Sequence, residues 1–336
     1  MSQKLIMQFL SQIKKEDLAG KTCLLRVNLD IKNPEKDSSR LEAAIPTVKF
    51  LLENGAKPLI LSHRGRPQAE NSNQIDLSKF TLEPLVKILS ERVGQKIDYL
   101  ENLRLDPREQ ENDETFAKEL ASKGDIYIND DFATSCRANA SVSAITKFLP
   151  SYAGLWLEKE IKNLEKAIIN PQKPLVVIIG GVKFDDKLGM VKNFQDKADF
   201  FLVGSAYVDL QDDLLKNPKV IMPTDWTGES NLKLDIGPKT IEQFCKIIST
   251  AKTVIWNGPL GMFEDLKYLE GSKKIAEAII SSGAFSIIGG GDTDQLLNQL
   301  KIKDKFSFVS TGGASMLAFL AGDPPTGGLP GLEALG

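Results

Sequence analysis

A run of five apolar residues followed at once by two glycines is the feature that most constrains the fold. Leu175–Ile179 is continuous and rich in β-branched residues, which is typical of a strand buried on both faces of a parallel sheet. Gly180 and Gly181 allow a tight turn and leave room for a ligand close to the backbone. Lys183 and Lys187 follow where a helix is predicted to begin. The combination predicts an anion site in an α/β fold.

The turn matches neither of two common nucleotide-binding motifs. The spacing G-x-x-x-x-G-K-[ST] is absent, so the turn is not a Walker A loop. No G-x-G-x-x-G opens a strand–helix–strand unit with an acidic residue downstream, which argues against a dinucleotide-dependent oxidoreductase. For this stretch alone, an ordinary strand–helix turn with two solvated lysines remains the alternative.

Length and composition indicate a soluble globular protein of about two domains. The chain has 336 residues, against the ~150 typical of one domain, and 42% of them are hydrophobic. A net charge of −3 favours neither nucleic acid nor an anionic membrane as a partner. The three cysteines are far apart in the sequence, and no apolar segment is long enough to span a bilayer. We therefore expect a cytoplasmic protein whose partners are small molecules.

The arginines are confined to the first part of the chain. They are Arg26, Arg40, Arg64, Arg66, Arg92, Arg104, Arg108 and Arg137. Beyond them the positive charge is carried by lysine. Arginine grips carboxylate and phosphate with a planar fork, whereas lysine acts as a point charge, so the two halves are predicted to bind different anions. Drift in composition between the halves is the alternative.

Several basic side chains follow predicted strands in the first half. They are Arg40, His63, Arg66, Arg104 and Arg137. In an open parallel sheet the segments that follow strands lie along the carboxyl edge, where ligands bind. We therefore expect these side chains to converge, although a lone histidine such as His63 is more often structural than functional.

A long amphipathic helix predicted over Tyr152–Ile169 separates the arginine half from the lysine half. The predicted organisation is an N-terminal domain over 1–151, an interdomain helix over 152–170 and a second domain over 171–322. The tail 323–336 is expected to return to the first domain. The alternation of strands and helices in both halves predicts two doubly wound, Rossmann-like α/β domains with parallel sheets, joined by a hinge helix.

A series of motifs lies along the chain in a fixed order: KTCLLRVNLD, RLEAAIPTVKFLLENGAK, SHRGRP, ENLR, NDDFATSCRANAS, IIGGVKFDDKLG, LDIGPKT, KTVIWNGPLGMFE, IIGGGDT, STGGAS and LPGLEAL. Together they resemble the phosphoglycerate kinase family over nearly the whole chain. The resemblance implies a glycolytic kinase that passes a phosphoryl group between 1,3-bisphosphoglycerate and ADP, giving 3-phosphoglycerate and ATP. It implies a glycerate site in the N-terminal half, a nucleotide site in the C-terminal half, and a monomer.

The resemblance also implies functions for individual residues. The glycerate would be bound by Asn28, Asp30, Arg40, His63, Arg64, Gly65, Arg66, Arg104 and Arg137. The nucleotide would be bound by Gly181, Lys183, Lys187, Gly204, Asn257, Glu264, Gly289, Gly290, Gly291, Asp292 and Thr293. Arg40, Lys183 and Lys187 would be catalytic. Glu264 would contact the ribose and Asp292 would bind Mg²⁺, the implied cofactor; otherwise they would be a solvated carboxylate and a helix N-cap.

The chemistry explains why cations dominate these sets. The nucleophile toward ATP is a carboxylate with a pKa near ~4, which is ionised at neutral pH and needs no general base. Phosphoryl transfer instead needs alignment and cancellation of negative charge. Arg40 from one half and Lys183 from the other are expected to supply that cancellation when the halves close.

The chain also departs from the family pattern. Asn28-Leu29-Asp30 stands where the family has Asp-Phe-Asn, and Cys136 and Asn139 replace two histidines. STGGAS lacks one glycine of the usual STGGGAS. These departures support the alternative of a catalytically lapsed relative that still binds phosphorylated ligands.

The segment from Gly204 to Leu234 is shorter than the family pattern. Because the resemblance implies that this segment helps to wall the base pocket, we expect weakened base discrimination, with ADP and GDP used within about tenfold of each other. The alternative is that Tyr207 and Val208 rebuild a tight pocket from fewer residues.

Overall fold

Each of two sheets in the computed structural model has the strand order of a Rossmann fold. The structure describes residues 7–34, 38–67, 76–210, 212–229 and 232–336. They divide into two compact units, one formed by the described residues up to Ile161 with Gly328–Gly336 and the other by Lys162–Gly327. No helix in these ranges is long and apolar enough to cross a membrane.

The first unit contains a five-stranded parallel sheet in the order β3-β2-β1-β4-β5. Its strands are β1 (Thr22–Arg26), β2 (Lys57–Leu61), β3 (Asp98–Tyr99), β4 (Ile126–Asn129) and β5 (Ser151–Ala153). Its helices are α1 (Lys15–Leu18), α2 (Ser39–Glu53), α3 (Glu83–Val93) and α4 (Glu114–Ala121), and α5 (Leu155–Ile169) begins in this unit and ends in the second. The buried apolar residues of β1, β2 and β4 pack against α2 and α3 to form the core.

The second unit contains a six-stranded parallel sheet in the order β13-β12-β11-β6-β7-β8. Its strands are β6 (Leu175–Ile179), β7 (Phe200–Val203), β8 (Val220–Ile221), β11 (Thr253–Asn257), β12 (Phe285–Gly289) and β13 (Phe308–Val309). A separate antiparallel pair is formed by β9 (Trp226–Thr227) and β10 (Asp235–Ile236). The helices are α6 (Leu188–Phe194), α7 (Pro238–Ile248), α8 (Glu270–Ser282), α9 (Gly291–Leu300) and α10 (Gly313–Ala321).

The strand orders confirm the predicted pair of Rossmann-like α/β domains. In the first sheet the order reverses between β1 and β4, and in the second it reverses between β6 and β11. Ligands of doubly wound sheets bind at this reversal, beyond the carboxyl ends of the strands. The fold therefore places one candidate site after β1 and β4 and another after β6 and β11.

The predicted helix over Tyr152–Ile169 is wrong at its start. Residues Ser151–Ala153 form the edge strand β5, which pairs in parallel with β4, and the helix begins at Leu155. The helix start is fixed by Asp130, whose carboxylate accepts the N–H groups of Trp156 and Leu157, each at 2.9 Å. Strand pairing with a distant segment therefore outweighed the local helical pattern.

The end of the chain belongs to the first unit. A short helix, α11 (Pro330–Glu333), follows Gly328, and the Gly331 N–H donates to the Ser135 carbonyl at 2.9 Å. Asn129, the last residue of β4, donates from Nδ2 to the Gly331 carbonyl at 3.4 Å. The tail therefore contacts the loop that follows β4.

Candidate active site

The first site is built on an arginine in the interior of the sheet. Arg26 ends β1 fully buried, and its Nη1 lies 2.9 Å from Asp131 Oδ2. Its Nε donates to Ser141 Oγ at 3.0 Å, and its Nη2 lies 2.8 Å from Nδ1 of His63. Because a guanidinium only donates, Nδ1 of His63 accepts and the imidazole proton is on Nε2. The network fixes the orientation and tautomer of His63.

His63 is buried and neutral at pH 7. Burial lowers its pKa well below the usual value, and the nearby guanidiniums of Arg26, Arg104, Arg40 and Arg137 lower that pKa further. Its Nε2 lies 3.9 Å from Asp30 Oδ2. His63 therefore offers a neutral N–H donor among cations, which suits a phosphate or carboxylate ligand.

Asn28 holds the loop after β1 to the loop after β4, and Asp30 holds it to the loop after β2. Asn28 donates from Nδ2 to Asp131 Oδ1 at 3.1 Å and accepts the Asp30 N–H at 3.0 Å. Asp30 Oδ1 accepts the Gly65 N–H at 2.7 Å, and its carbonyl accepts from Arg40 Nη1. Asn28, Asp30, Arg40 and Gly65 are therefore brought together with His63.

Arg104 is a second buried cation of this site. Its side chain is only 3% exposed, and its Nη1 donates to the Gly65 carbonyl at 2.8 Å. Within the described residues its Nε has no hydrogen-bond partner. Burial lowers the pKa of Arg104 to about 10, while Asp30 and Asp131 oppose that shift. A buried guanidinium with an unused donor is an arrangement that an anion would satisfy.

Three other predicted arginines differ in environment. Arg66 and Arg137 are exposed and their side chains are free to reach a ligand. Arg64, in contrast, donates from Nε to the Ile31 carbonyl at 3.1 Å and from Nη1 to the Thr81 carbonyl at 2.9 Å. The Arg64 guanidinium thus connects loops of the fold.

Three buried residues that support this site were not predicted from the sequence: Arg26, Asn102 and Asp131. Asn102 Oδ1 accepts the backbone N–H groups of Arg64 and Arg104 at 3.2 and 3.1 Å, which positions both arginines. A signal for Arg26 was available, because a charged residue inside the apolar run CLLRV needs a buried partner.

The second site begins at the predicted glycine turn after β6. The Gly181 N–H donates to the Pro259 carbonyl at 2.6 Å, and Gly181 has a φ of 71° in the left-handed region. A Cβ at Gly180 would lie 2.1 Å from the Pro259 carbonyl oxygen, so no larger residue fits there. Tyr207 is buried and donates from its hydroxyl to the Gly180 carbonyl at 2.9 Å. The turn is therefore tightly specified.

The two predicted lysines flank a cavity of about 470 Å³. Lys187 is 6% exposed and donates from Nζ to the Lys183 carbonyl at 2.8 Å, whereas the Lys183 side chain is exposed. Burial lowers the pKa of Lys187, while the carboxylates of Asp186 and Asp292 oppose that shift. The cavity is lined by Gly181, Lys183, Lys187, Asn257, Gly290, Gly291, Asp292 and Thr293, among others. It will be called the phosphate cavity.

The N-terminus of α9 forms another wall of the phosphate cavity. Gly290 has a φ of 102°, and a Cβ added at Gly313 would lie 2.9 Å from the Cα of Gly290. Thr293 Oγ1 accepts the Gly258 N–H at 2.9 Å. Asn257 is buried, and its Nδ2 has no partner within the described residues. Free helix N–H groups and an unpartnered amide are donors suited to an anion.

A second cavity of about 270 Å³ adjoins the phosphate cavity and shares Gly181, Val182 and Asp292 with it. It will be called the base cavity, and its remaining wall contains Gly204, Ser205, Ala206, Lys233, Leu234, Pro259, Leu260, Gly261, Met262, Phe263 and Glu264. Of the predicted nucleotide residues only Gly289 lines neither cavity. Gly289 packs closely against Met316, since a Cβ there would lie 2.3 Å from Met316 Sδ. Lys233 was not predicted from the sequence.

One carboxylate could hold a metal ion beside phosphates. No cluster of three His, Cys, Asp or Glu side chains that could hold a metal ion occurs within the described ranges. Asp292 lines both cavities at the start of α9. Mg²⁺ keeps several waters and is commonly bound by one or two carboxylates plus substrate phosphates, so a single Asp292 fits Mg²⁺ better than a metal that needs a complete protein cage.

The chain is similar to known proteins over nearly its whole length. A model of the phosphoglycerate kinase family matches residues 13–100, 95–210 and 207–323. Phosphoglycerate kinase of Thermosipho africanus is 37% identical over 398 residues, which cover 96% of this chain and 97% of the relative. That of Dictyoglomus turgidum is 35% identical over 390 residues, with 96% and 97% covered.

Solved structures give the same result. Phosphoglycerate kinase from Coxiella burnetii matches with a TM-score of 0.82 and 28% identity, covering 98% of this chain and 99% of that chain. The enzyme from Pyrococcus horikoshii matches with a TM-score of 0.81 and 28% identity, covering 98% of both chains. The aligned lengths of the sequence relatives exceed the 336 residues of this chain, so these relatives carry segments that this chain lacks.

Proposed function

The chain belongs to the phosphoglycerate kinase family, and we propose that it transfers a phosphoryl group reversibly between 1,3-bisphosphoglycerate and ADP in glycolysis. The observation that carries this proposal is the pair of anion sites, one at each strand-order reversal. One site combines buried arginine with a neutral histidine, and the other combines lysines, a helix N-terminus and an apolar cavity. A small phosphorylated acid suits the first site and a nucleotide suits the second.

The glycerate is proposed to bind over the carboxyl ends of β1 and β4. Arg104 and His63 would donate to its anionic groups from beneath, because both are buried and fixed in orientation. The exposed Arg66 and Arg137 would close over it. Asn28 and Asp30 already hydrogen-bond within the site, so they would act chiefly by positioning the surrounding loops.

The nucleotide is proposed to span the two cavities of the second unit. Its phosphates would lie in the phosphate cavity against Lys183, Lys187 and the first turn of α9. Its ribose would contact Glu264, and its base would fill the apolar base cavity. Mg²⁺ would be held by Asp292 and the phosphate oxygens, and it would neutralise the negative charge of those oxygens.

Transfer requires no general base from the protein, because the attacking carboxylate is ionised at neutral pH. Arg40 and Lys183 are proposed to neutralise the transferring oxygens, and Lys187 the nucleotide phosphates. Since Arg40 and Lys183 come from different units, turnover would require the domains to close. The protein is proposed to act in the cytoplasm as a monomer.

A coupled assay of ATP formation from ADP and 1,3-bisphosphoglycerate tests the reaction. We expect Mg²⁺-dependent formation of ATP by the wild-type protein and its near loss in the Lys183→Ala variant. A wild-type protein that binds 3-phosphoglycerate but forms no ATP would instead be the lapsed relative.

A further inference from the structure

We propose that Lys233 selects the nucleotide base, favouring a purine with an acceptor at position 6, such as guanine or hypoxanthine, over adenine. This inference rests on the proposed function, because it places a nucleotide across the two cavities of the second unit. It adds a specificity-determining residue to that nucleotide site.

The contents of the two cavities determine where the base lies. The phosphate cavity contains the lysines and the N-terminus of α9, which suit anionic groups. The base cavity is walled mainly by apolar side chains, namely Leu234, Leu260, Met262 and Phe263, together with Pro259. Because the cavities share Gly181, Val182 and Asp292, a nucleotide with its phosphates in the first extends its base into the second.

The apolar walls accept any flat ring and do not distinguish the edges of one base from those of another. Three carbonyls of the cavity wall are already used by the fold. The Leu260 carbonyl accepts from the Ser205 backbone at 3.3 Å and from its hydroxyl at 3.2 Å. The Leu234 carbonyl accepts from Met262 at 2.7 Å, and the Pro259 carbonyl accepts from Gly181 at 2.6 Å. Among the other groups of the wall, charged side chains form the strongest hydrogen bonds to a base edge.

Three charged side chains line the base cavity: Lys233, Glu264 and Asp292. Asp292 lies where the two cavities meet, and Glu264 is assigned to the ribose. Lys233 is the cation among them, so its ammonium is the charged group that can donate to a base edge.

Lys233 is held in place, unlike a solvated surface lysine. Its side chain is 16% exposed, and its Nζ forms an ion pair with Asp209. The same Nζ lies 4.7 Å from the centroid of the Trp226 ring. The next residue, Leu234, donates its N–H to the Thr227 carbonyl at 2.9 Å and lines the base cavity. The antiparallel pair of strands β9 and β10 therefore keeps Lys233 at the cavity.

The edge chemistry of purines then gives the preference. Guanine presents two acceptors, O6 and N7, and a lysine ammonium commonly binds them. Adenine presents the N7 acceptor beside a 6-amino donor, which opposes the donors of an ammonium. An ammonium carries three N–H donors, so the ion pair with Asp209 leaves the Lys233 ammonium with donors for a base edge. Lys233 therefore favours the 6-oxo purines.

Three substitutions separate this role from general packing. Lys233→Met keeps most of the alkyl chain and removes the ammonium. Lys233→Gln adds an amide that can donate to N7 and accept from the 6-amino group, which is the pairing that suits adenine. Lys246→Met, an exposed lysine of α7, is the matched control.

The experiment measures kcat/KM for ADP, GDP and IDP with 1,3-bisphosphoglycerate. We expect the wild-type ratio of GDP to ADP to be one or higher. Lys233→Met should lower this ratio about tenfold through loss of GDP and IDP activity, Lys233→Gln should lower it further by improving ADP, and Lys246→Met should leave it unchanged. Unchanged ratios in both Lys233 variants, or equal losses for all three diphosphates, would overturn the proposal.

Calorimetric binding of ADP, GDP and IDP to the same proteins gives the base preference without turnover. A preference for GDP and IDP that disappears in Lys233→Met supports the role of Lys233 even if no ATP or GTP is formed. Absence of turnover with that preference intact would overturn the proposed reaction and leave the base assignment standing.

Discussion

At the scale of single residues, the first site depends on charges that are buried with their partners. Removing an arginine such as Arg26 from water is costly unless its donors are satisfied. Arg26 is paired with Asp131, Ser141 and His63, and its Nη1 also donates to the Val27 carbonyl at 2.6 Å. The pairing leaves His63 with a defined tautomer, so the network prepares the ligand site before any ligand arrives.

The protonation state of His63 is directly measurable, because the chain contains one histidine. Its pKa is lowered by burial and by neighbouring arginines. Imidazole ¹⁵N spectra of the folded protein should therefore show a neutral ring with its proton on Nε2 and no titration from pH 8 to about 6. The urea-unfolded chain, as control, should titrate near ~6.5. A folded-state titration near that value would contradict the assignment.

The sign of the His63 contribution to stability follows from the same shift. In the unfolded chain the His63 imidazole binds a proton near pH ~6.5, whereas in the folded protein it stays neutral at that pH. Stability from the neutral imidazole is thus fully present above that pH and is lost as the pH falls toward the lowered folded pKa.

Arg40 and Lys183 are predicted to act in the transition state. Their contacts with the transferring oxygens strengthen as charge spreads, so Arg40→Ala and Lys183→Ala should lower kcat far more than either KM. By comparison with arginine fingers, each loss should be ~10³-fold. Steady-state kinetics measure it, with the exposed α6 residue Lys192→Ala as control. If either variant retained most of the wild-type kcat, the substituted residue would not be catalytic.

At the scale of elements, the start of α5 is set by one buried carboxylate. Asp130 accepts the Trp156 and Leu157 N–H groups, and burial raises its pKa to about 6 despite those bonds. A helix cap of this kind normally favours the charged form, so here the cost of desolvation exceeds the gain from capping.

This balance predicts a pH-dependent stability. The unfolded chain releases the Asp130 proton near pH ~3.9, whereas the folded protein retains it up to about pH 6. The stability that this proton contributes is therefore fully present below pH ~3.9 and is lost as the pH rises through about 6. Between pH 4.5 and 7.5 the wild type should lose ~2 kcal/mol of unfolding free energy relative to Asp130→Asn. Urea titrations at both pH values measure the difference. Parallel profiles would show that Asp130 does not retain its proton.

At the scale of the whole molecule, the two units are predicted to bind their ligands through separate residues. Arg66→Ala, Arg104→Ala and Arg137→Ala should each weaken 3-phosphoglycerate binding by ~1.5–3 kcal/mol, because charge-assisted bonds are lost. ADP affinity should be unchanged in these variants. Lys187→Ala should show the reverse pattern.

Calorimetry with each ligand tests this separation. Arg64→Ala is an informative comparison, because its guanidinium donates to the Ile31 and Thr81 carbonyls and its loss should lower stability more than affinity. Unchanged 3-phosphoglycerate affinity in all three arginine variants would mean that the glycerate binds elsewhere.

The sequence by itself determined the two Rossmann-like domains and the glycine turn. Continuous apolar runs such as Leu175–Ile179 are typical of strands buried on both faces, and turn glycines are required by local backbone geometry. These features depend on residues that are close together in the chain, so they can be predicted from one sequence.

Only the tertiary structure decided which polar residues are buried together. Arg26 meets Asp131 and Ser141, which are 105 and 115 residues away, and Lys233 reaches the base cavity beside Pro259. Pairing with β4 likewise made Ser151–Ala153 a strand. The physical reason is that the free energy of burying a charge or pairing an edge strand depends on partners brought close by folding, and local sequence does not specify those partners.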